Sequence, residues 1–399
     1  MLKCDVLVVG ASASGSVASL MLSKLGYSVL TIDKASRIGG FTNNKIDITD
    51  SELYGEVRLE PILKKLQIRP IKKINLSRWK SRNESFVLKS SSHDLYFKRG
   101  TASNSLDCQV MNRAISSGCE FLPNTQVIKF NLKGETINEV VIKTKGKRLS
   151  VFPKTVVGAD GSYSTCRKLA QIKEKSQQLE GFGAMFKGES FEETQVMFDS
   201  ELAPGGYIYA GSAGNEDFVC VIIDNQMTRK SSKDFFNLNK SSNEFLKAFE
   251  GKKFLNYFGG RGKYGFVENL TKWNMVLTGG AGLLVDPFLG YGLNYGIFSG
   301  YEASKAIDNR LTNDISLNNY ESIYKEKFMS YFRKALKTRE LFKRLNNVEI
   351  DSLVKLLRVI QEKKLTEFNL RNLLMILKYG NFETINSMRV FYNLLEIGM

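Results

Sequence analysis

Along the first thirty-odd residues the apolar positions change period twice. Val6–Val9 is an unbroken apolar run, as expected of a parallel strand buried on both faces. From Ser14 to Leu25 the residues Val17, Ala18, Leu20, Met21, Leu22 and Leu25 follow helical spacing, and Gly26 fits the C-terminal cap. "SVLTID" then returns to a strand and ends on Asp33. The pattern predicts a parallel strand–helix–strand unit. A second apolar strand ends at Gly158, and a long helix opens at Gly290–Asn294 with small residues at Gly296, Ser299, Gly300 and Ala303. Between these pieces "ESFVLKSSSHDLYFKR" alternates as a hairpin would, and "GFGAMFKGESFEETQVMFD" and "DFVCVIID" predict further strands. The tail is helical: Tyr320, Ile323, Tyr324, Phe328, Tyr331, Phe332, Ala335 and Leu336 keep a 3.6-residue period. A second amphipathic piece, "LRNLLMILKYG", lies amid Lys and Arg. It suits a packed helical subdomain or contact with an anionic membrane.

Composition narrows this picture. With 399 residues, 43% of them hydrophobic, and six prolines, the chain is a folded protein of two or three domains. Five cysteines without a C-x-x-C pair predict reduced thiols and no metal site. The chain opens directly into a strand, and no apolar run approaches the ~18 residues of a membrane span. A cytoplasmic protein is expected, with peripheral membrane contact as an option. The net charge of +16 favours anionic partners. The lysines are scattered, not gathered in a stripe, so a solvated surface is an equal reading and no nucleic-acid partner is expected. The one histidine, His93, falls on the expected hairpin, which argues against chemistry built on a His base.

The turn after the first strand reads G-A-S-A-S-G. Gly10 and Gly15 stand where a dinucleotide-binding turn needs them, and Ser12 takes the place of the middle glycine. In such a unit the helix N-terminus, around Ser14, offers free N–H groups and a positive dipole end to a pyrophosphate. The acid ending the second strand accepts from a ribose. Asp33, followed by Lys34, lies 23 residues after Gly10, close to the usual ~20. The alternative is a doubly wound sheet with no ligand.

Two further stretches carry a resemblance. "VVGADGSYSTCRKLA" (156–170) has the spacing G-A-D-G-x-x-S-x-x-R, and Met275–Ile307 holds Gly279, Ala281, Pro287, Gly290 and Gly292 in register with G-D-A-A-G-x-x-x-P-x-x-G-x-G. Together they resemble FAD-dependent enzymes with the p-hydroxybenzoate hydroxylase type of fold. The resemblance implies FAD as cofactor. It places Asp160 and Gly161 near the ribityl and pyrophosphate, and has Arg167 brace its own loop. The amides at Gly292-Leu293 would face the flavin N1 and C2 carbonyl, with Asp286, Pro287, Gly290 and Asn294 around them. It implies an FAD contact for Arg99 and an adenine passing Val127. Gly280 stands where the family carries an aspartate. Asn43, Asn44 and Lys45 occupy the neighbourhood where related reductases often place a cysteine.

"APGGYIYAGSAGN", from Ala203, is similar to the P-x-G-Y-x-W-x-F-P-K-G segment of the geranylgeranyl reductases. Pro204, Gly206 and Tyr207 match, and Tyr209 replaces the Trp. The resemblance implies that these residues line a lipid pocket, with Tyr207 the one candidate proton donor. The expected fold class is α/β: a Rossmann-like FAD-binding domain (1–45, 99–170 and 270–305), an antiparallel-sheet α+β cap (46–98 and 171–269) and a helical region (306–399). The expected activity is FAD-dependent reduction of isoprenoid C=C bonds in a lipid substrate, with NAD(P)H or ferredoxin as reductant. A flavin monooxygenase of the same fold, or a non-catalytic isoprenoid-binding protein with a lapsed FAD site, are the alternatives. No oligomeric state is read from the sequence.

Overall fold

The structure, a computed structural model, describes residues 1–42, 44–54, 57–242, 247–362 and 389–393. Asn43 and the amphipathic piece at 370–380 lie outside the described residues. The chain divides into two compact units. The first comprises Met1–Ile71, Tyr96–Gln177 and Gly262–Ser330; the second comprises Lys72–Leu95, Gln178–Arg261 and the chain from Tyr331.

Five strands of the first unit are parallel: β1 (Leu2–Val9), β2 (Val29–Ile32), β3 (Glu120–Leu122), β4 (Lys147–Gly158) and β5 (Met275–Leu277), in the spatial order β3-β2-β1-β4-β5. The apolar runs explain this arrangement. Leu7 and Val9 join Ile32, Val156 and Leu277 in one core cluster, and Val6 and Val8 are fully buried on the other face. Strands Thr125–Lys133 and Thr136–Thr144 form an antiparallel ladder on the first half of β4. The helices of this unit that matter here are α1 (Ala13–Lys24), α2 (Leu106–Ser116), α3 (Thr165–Leu169), α4 (Leu293–Asn313) and α5 (Asn318–Lys327). Gly26, at φ +86°, follows the last residues of α1 in the left-handed conformation that ends many helices.

Residues 46–71 group with the first unit, and hydrogen bonds show why. The Asn294 amide donates to Thr49 Oγ1 (3.0 Å). Arg113 Nη1 of α2 donates to the carbonyls of Leu66 and Gln67 (2.8 and 2.6 Å), and Lys65 Nζ donates to Tyr301 Oη (2.6 Å). Residues 306–330 group there too, because α5 braces the end of β5.

The sheet that makes up most of the second unit runs in the order 254–267, 174–187, 216–224, 207–213, 194–197, 72–80, 85–98, 46–50, its last strand being counted with the first unit. Its strands pair antiparallel around 216–224, but 194–197 lies parallel to 72–80. "ESFVLKSSSHDLYFKR" is not a hairpin: Ser85–Lys98 is one continuous strand. The turn precedes it, where the Ser81 amide donates to the Glu84 carbonyl (2.9 Å). "SSSH" has no residue that favours positive φ, whereas "SRNE" carries the Ser and Asn of a turn. One face of the sheet packs Ile208, Ala210, Val219 and Val221 against Phe235 and Phe236. Tyr207 and Tyr209 alternate onto the other face. The helices Met329–Phe342 and Asn347–Glu362 follow. Among the described residues no helix is long and apolar enough to cross a membrane.

Candidate functional site

Three glycine turns meet at the C-terminal ends of β1, β4 and β5, the edge where open α/β sheets hold ligands. Gly10 has φ +107°, and a Cβ there would stand 2.3 Å from the Ala159 carbonyl oxygen. The Gly10 amide donates to Ile32, Ala159 to Val9 and Thr278 to Gly158 (2.8–2.9 Å), so the turns share one hydrogen-bonded frame. A Cβ on Gly15 would meet the Gly10 carbonyl at 1.9 Å, which is how α1 starts directly above β1. Ser14 is the hub. Cβ atoms on Gly279 and Gly300 would lie 2.8 Å from its Oγ and 2.2 Å from its carbonyl oxygen. The first and third motifs, some 265 residues apart, thus touch through one serine.

Ser12 is the N-cap of α1, with φ −77° and ψ −179°. That extended conformation suits any L-residue, so the serine costs no backbone strain. It is exposed, its hydroxyl makes no cap bond, and its Oγ lies 3.4 Å from the Ala159 carbonyl. Helices α2 and α3 differ: Ser105 and Ser164 cap them by accepting from Cys108 and Arg167 amides. The first turn of α1 therefore keeps its donors and dipole for a ligand.

Asp33 holds the same turn together. Its carboxylate accepts from the Ala11 amide (2.7 Å) and the Ala35 amide (2.7 Å). Lys34 is exposed, its ammonium 5.0 Å from the Phe41 ring centroid. Val127 is buried among the apolar residues of the core cluster, so its side chain serves packing.

Arg99 is buried in an ion network. Nε and Nη2 donate to the two oxygens of Asp107 (2.9 and 2.8 Å), and Nη1 donates to Asp47 (2.8 Å). Asp107 also accepts from the Gly100 amide (2.9 Å), and Asp47 pairs with Lys45 (2.8 Å). Burial disfavours both charged partners, but the opposite charges outweigh it. They hold the Asp47 carboxyl below its ordinary value and the Arg99 guanidinium above its own. Asn44, at φ +42°, closes the loop beside this network, its Oδ1 accepting from the Thr101 amide (2.9 Å). Asp47 and Asp107 were not singled out in the sequence. The "LD" that opens α2, eight residues after Arg99, was the available signal.

Asp160 is turned onto α3: it accepts from Ser164 Oγ (2.5 Å) and from the amides of Thr165 and Cys166 (2.6 and 3.0 Å). Arg167 braces the loop from inside, donating to the Ala281 and Ser162 carbonyls (2.5 and 2.6 Å) and pairing with Glu174. Gly161, at φ +81°, has nothing within 4 Å of a Cβ, whereas Gly280 faces it closely, a Cβ there meeting Ser162 N at 3.0 Å. Asp286 shapes the third turn, accepting from the Phe288 and Leu289 amides (2.9 and 2.7 Å) around Pro287. Gly290 follows at φ +80°.

Helix α4 begins at Leu293 after Gly292, which provides no side-chain cap. Thr49 and the Asn294 amide oxygen take the Asn294 and Tyr295 N–H groups. Behind the turn, Ser299 Oγ accepts from the Gly279 amide (2.9 Å), and Tyr320 Oη donates to the Leu277 carbonyl (2.9 Å). Burial raises the Tyr320 phenol far above its ordinary value, so it stays a donor. Glu321 accepts from the Leu270 and Thr271 amides (3.0 and 3.3 Å). These α5 contacts set the exit of β5, and the sequence reading passed over them.

The residues present fit FAD. An uncapped helix end at Ser12–Gly15 suits the pyrophosphate, open backbone at Gly161 permits close approach, and the α4 end suits the electron-rich edge of the flavin. Among the described residues no cluster of metal-ligating side chains occurs.

In the second unit Pro204, Gly205 and Gly206 form a turn against the end of strand 216–224. The Asp224 amide donates to the Pro204 carbonyl (3.0 Å), and Arg339 Nη2 donates to the Gly205 carbonyl (2.5 Å). A Cβ on Gly206 would meet the Ile222 carbonyl at 1.9 Å. Tyr207, 3% exposed, packs its ring near Phe198 (6.1 Å between centroids) and Tyr209 (5.9 Å), and Phe198 touches Trp79 and Phe342. Tyr209 is half-buried against Phe218.

Comparison with known proteins agrees with this geometry. The chain is 26% identical over 368 residues to a digeranylgeranylglycerophospholipid reductase of Methanocaldococcus jannaschii, covering 88% of this chain and 90% of that one. It is 26% identical over 394 residues to the reductase of the same name from Picrophilus torridus, covering 93% and 94%. Among solved structures, a geranylgeranyl bacteriochlorophyll reductase-like protein of Thermoplasma acidophilum aligns over 100% of both chains with TM-score 0.77 at 19% identity. A probable FAD-dependent monooxygenase of Pseudomonas aeruginosa aligns over 86% of this chain and 96% of its own, with TM-score 0.64 at 17% identity. The FAD binding domain family matches residues 3–323, four-fifths of the chain. By that match and by the three turns that converge on one ligand edge, the chain belongs to the FAD binding domain family, and its cofactor is FAD.

Proposed function

We propose that the chain is an FAD-dependent oxidoreductase that saturates C=C bonds in the isoprenoid chains of a lipid. The observation that carries the cofactor half is the uncapped α1 end inside a glycine frame shared by all three motifs. The substrate half is supported by relatives named as reductases of digeranylgeranyl lipids, aligned along about nine-tenths of both chains.

When bound, FAD supplies two-electron hydride chemistry. The protein's own residues bind and orient. The α1 N-terminus and the Ser12 hydroxyl would hold the pyrophosphate, and the backbone at Gly161 and Gly280 would line the ribityl chain. The N-terminus of α4 favours negative charge at the flavin edge. Asp33, Asp160, Asp286 and Arg167 each hold one of the three turns in place. Substrate binding falls to apolar surface, since an isoprenoid chain offers no hydrogen bonds and gains roughly 25 cal/mol per Å² buried. The Tyr207 and Tyr209 side of the second sheet is the wall we assign to it. Tyr207 is carried forward as wall and as the candidate proton donor, with solvent the other source. The reductant is NAD(P)H or a ferredoxin.

The test is mass spectrometry of geranylgeranyl lipids incubated with flavin-loaded protein and dithionite. Products two hydrogens heavier per saturated bond are expected. Hydroxylation of an aromatic substrate with NADPH and oxygen, with no saturated lipid, would replace this reading by a monooxygenase. Lipid binding without turnover would replace it by a non-catalytic lipid-binding protein.

A further inference from the structure

The second unit has an aromatic edge that the reaction does not use. Strand 254–267 is the outermost strand of its sheet. At its start Phe254, Leu255 and Tyr257 are 46%, 36% and 47% exposed, and Leu238 of the neighbouring helix Ser232–Ser242 is 52% exposed. These are not stray side chains. Phe254 and Tyr257 touch each other (4.6 Å between ring centroids), and Tyr257 stacks on Phe182 (5.4 Å). Phe182 contacts Phe236 (5.4 Å), and Phe254 contacts Phe186 (6.1 Å). The exposed rings are thus the outer layer of the unit's own core, held rigid from beneath.

Cations surround them. Lys233 lies over the Phe182 ring (6.0 Å) and Lys252 over the Phe249 ring (5.6 Å). Lys252 is paired with Asp217 and Arg261 with Glu180, whereas Arg229, Lys230, Lys247 and Lys253 are exposed. Between residues 229 and 261 the sequence holds eight Lys or Arg and three Asp or Glu. That is 8 − 3 = +5 in 33 residues, nearly a third of the chain's +16 in a twelfth of its length. The stretch is thus net basic, one of several such stretches in the chain, and what sets it apart is that its cations border exposed rings.

We infer that this edge is a docking surface for an anionic lipid bilayer. Partly exposed aromatics with cationic neighbours suit the headgroup boundary: the rings enter the apolar side while the ammonium groups meet phosphate. Each basic residue near an anionic surface adds attraction that salt screens. A second copy of the chain would bring a second +5 against the first, which the same charge disfavours. The inference stands apart from the proposed reaction, because it concerns where the protein sits and not what it reduces.

The experiment is co-sedimentation of the full chain with phosphatidylcholine vesicles, with and without phosphatidylglycerol. Binding only to the anionic vesicles, weakened by added salt, is expected. Lys233→Glu/Lys253→Glu changes exposed side chains alone and should lower partitioning about tenfold or more. Tyr257→Trp keeps the packing and should be quenched by brominated lipid in the vesicles. Flavin content and far-ultraviolet circular dichroism should stay at wild-type values in both. No binding to anionic vesicles, undiminished binding of the double variant, or no quenching at residue 257 would each overturn the inference. So would a Tyr257-dependent dimer in sedimentation velocity, which would make the edge a contact between copies.

Discussion

Replacing Arg99 by Met separates two accounts of that residue. The resemblance gives Arg99 a contact with FAD. The structure gives its guanidinium three bonds to two carboxylates. In Arg99→Met the chain length is nearly kept and the charge is lost. Asp47 retains Lys45 at 2.8 Å and is about one-fifth exposed, so it loses little. Asp107 is 1% exposed and keeps only the Gly100 amide at close range, with Thr42 Oγ1 at 3.5 Å. An uncompensated buried charge of this kind costs about 3–5 kcal/mol. Arg99→Met/Asp107→Asn removes that charge as well and should recover roughly half of the loss, since the buried pair's own net worth is small. Equilibrium urea unfolding measures the loss, and flavin fluorescence titration at low urea measures FAD affinity on protein that is still folded. A stability loss under about 1 kcal/mol, with FAD affinity reduced more than tenfold, would refute the structural account and favour direct contact with the cofactor. The same network makes an acid-limb prediction. The folded pKa of Asp47 lies below its ordinary 3.8. Its contribution is therefore fully present above the unfolded value and disappears as pH falls through the folded one. Asp47→Asn should flatten the loss of stability below about pH 4, and an unchanged acid limb would count against the pairing.

Gly280→Asp restores the acid that the resemblance expects, which by itself would add about 1–2 kcal/mol to FAD binding. Its Cβ, however, meets Ser162 N at 3.0 Å and Gly161 C at 3.3 Å, so we expect a lower melting temperature and less than a tenfold gain in affinity; a tenfold or larger gain in flavin titration would show that the turn yields freely. All five cysteines are buried. Burial pushes the Cys4 thiol up to about 12 and the Cys166 thiol well above its usual range, so iodoacetamide at pH 8 should leave both unmodified in the native protein, and fast labelling of either would contradict the packing around it.

What the chain declares locally could be read without a structure. The period change from Val6–Val9 to Ser14–Leu25 marks β1 and α1, because burial on two faces and burial on one stripe leave different apolar spacings. Gly10, Gly161 and Gly290 mark turns for an equally local reason: their backbones sit at positive φ, where a side chain clashes with its own chain. The helix after Gly292 and the strand ending at Gly158 follow the same logic. Tertiary contact decided the rest. That Ser14 joins Gly279 and Gly300 could not be seen from the spacing, since the partners are some 265 and 286 residues away and meet only when α4 lies on α1. The two carboxylates on Arg99, the Arg339 donor on the Gly205 carbonyl and the phenol of Tyr320 on Leu277 are likewise pairings across the fold. Val127 and the strand Ser85–Lys98 carry the same lesson. An alternating pattern states which side chains turn inward, but the partner strand and the depth of the core settle what they turn toward. Hydrogen bonds and ion pairs between distant residues depend on distance in space, and sequence spacing carries that information only where the chain is its own neighbour.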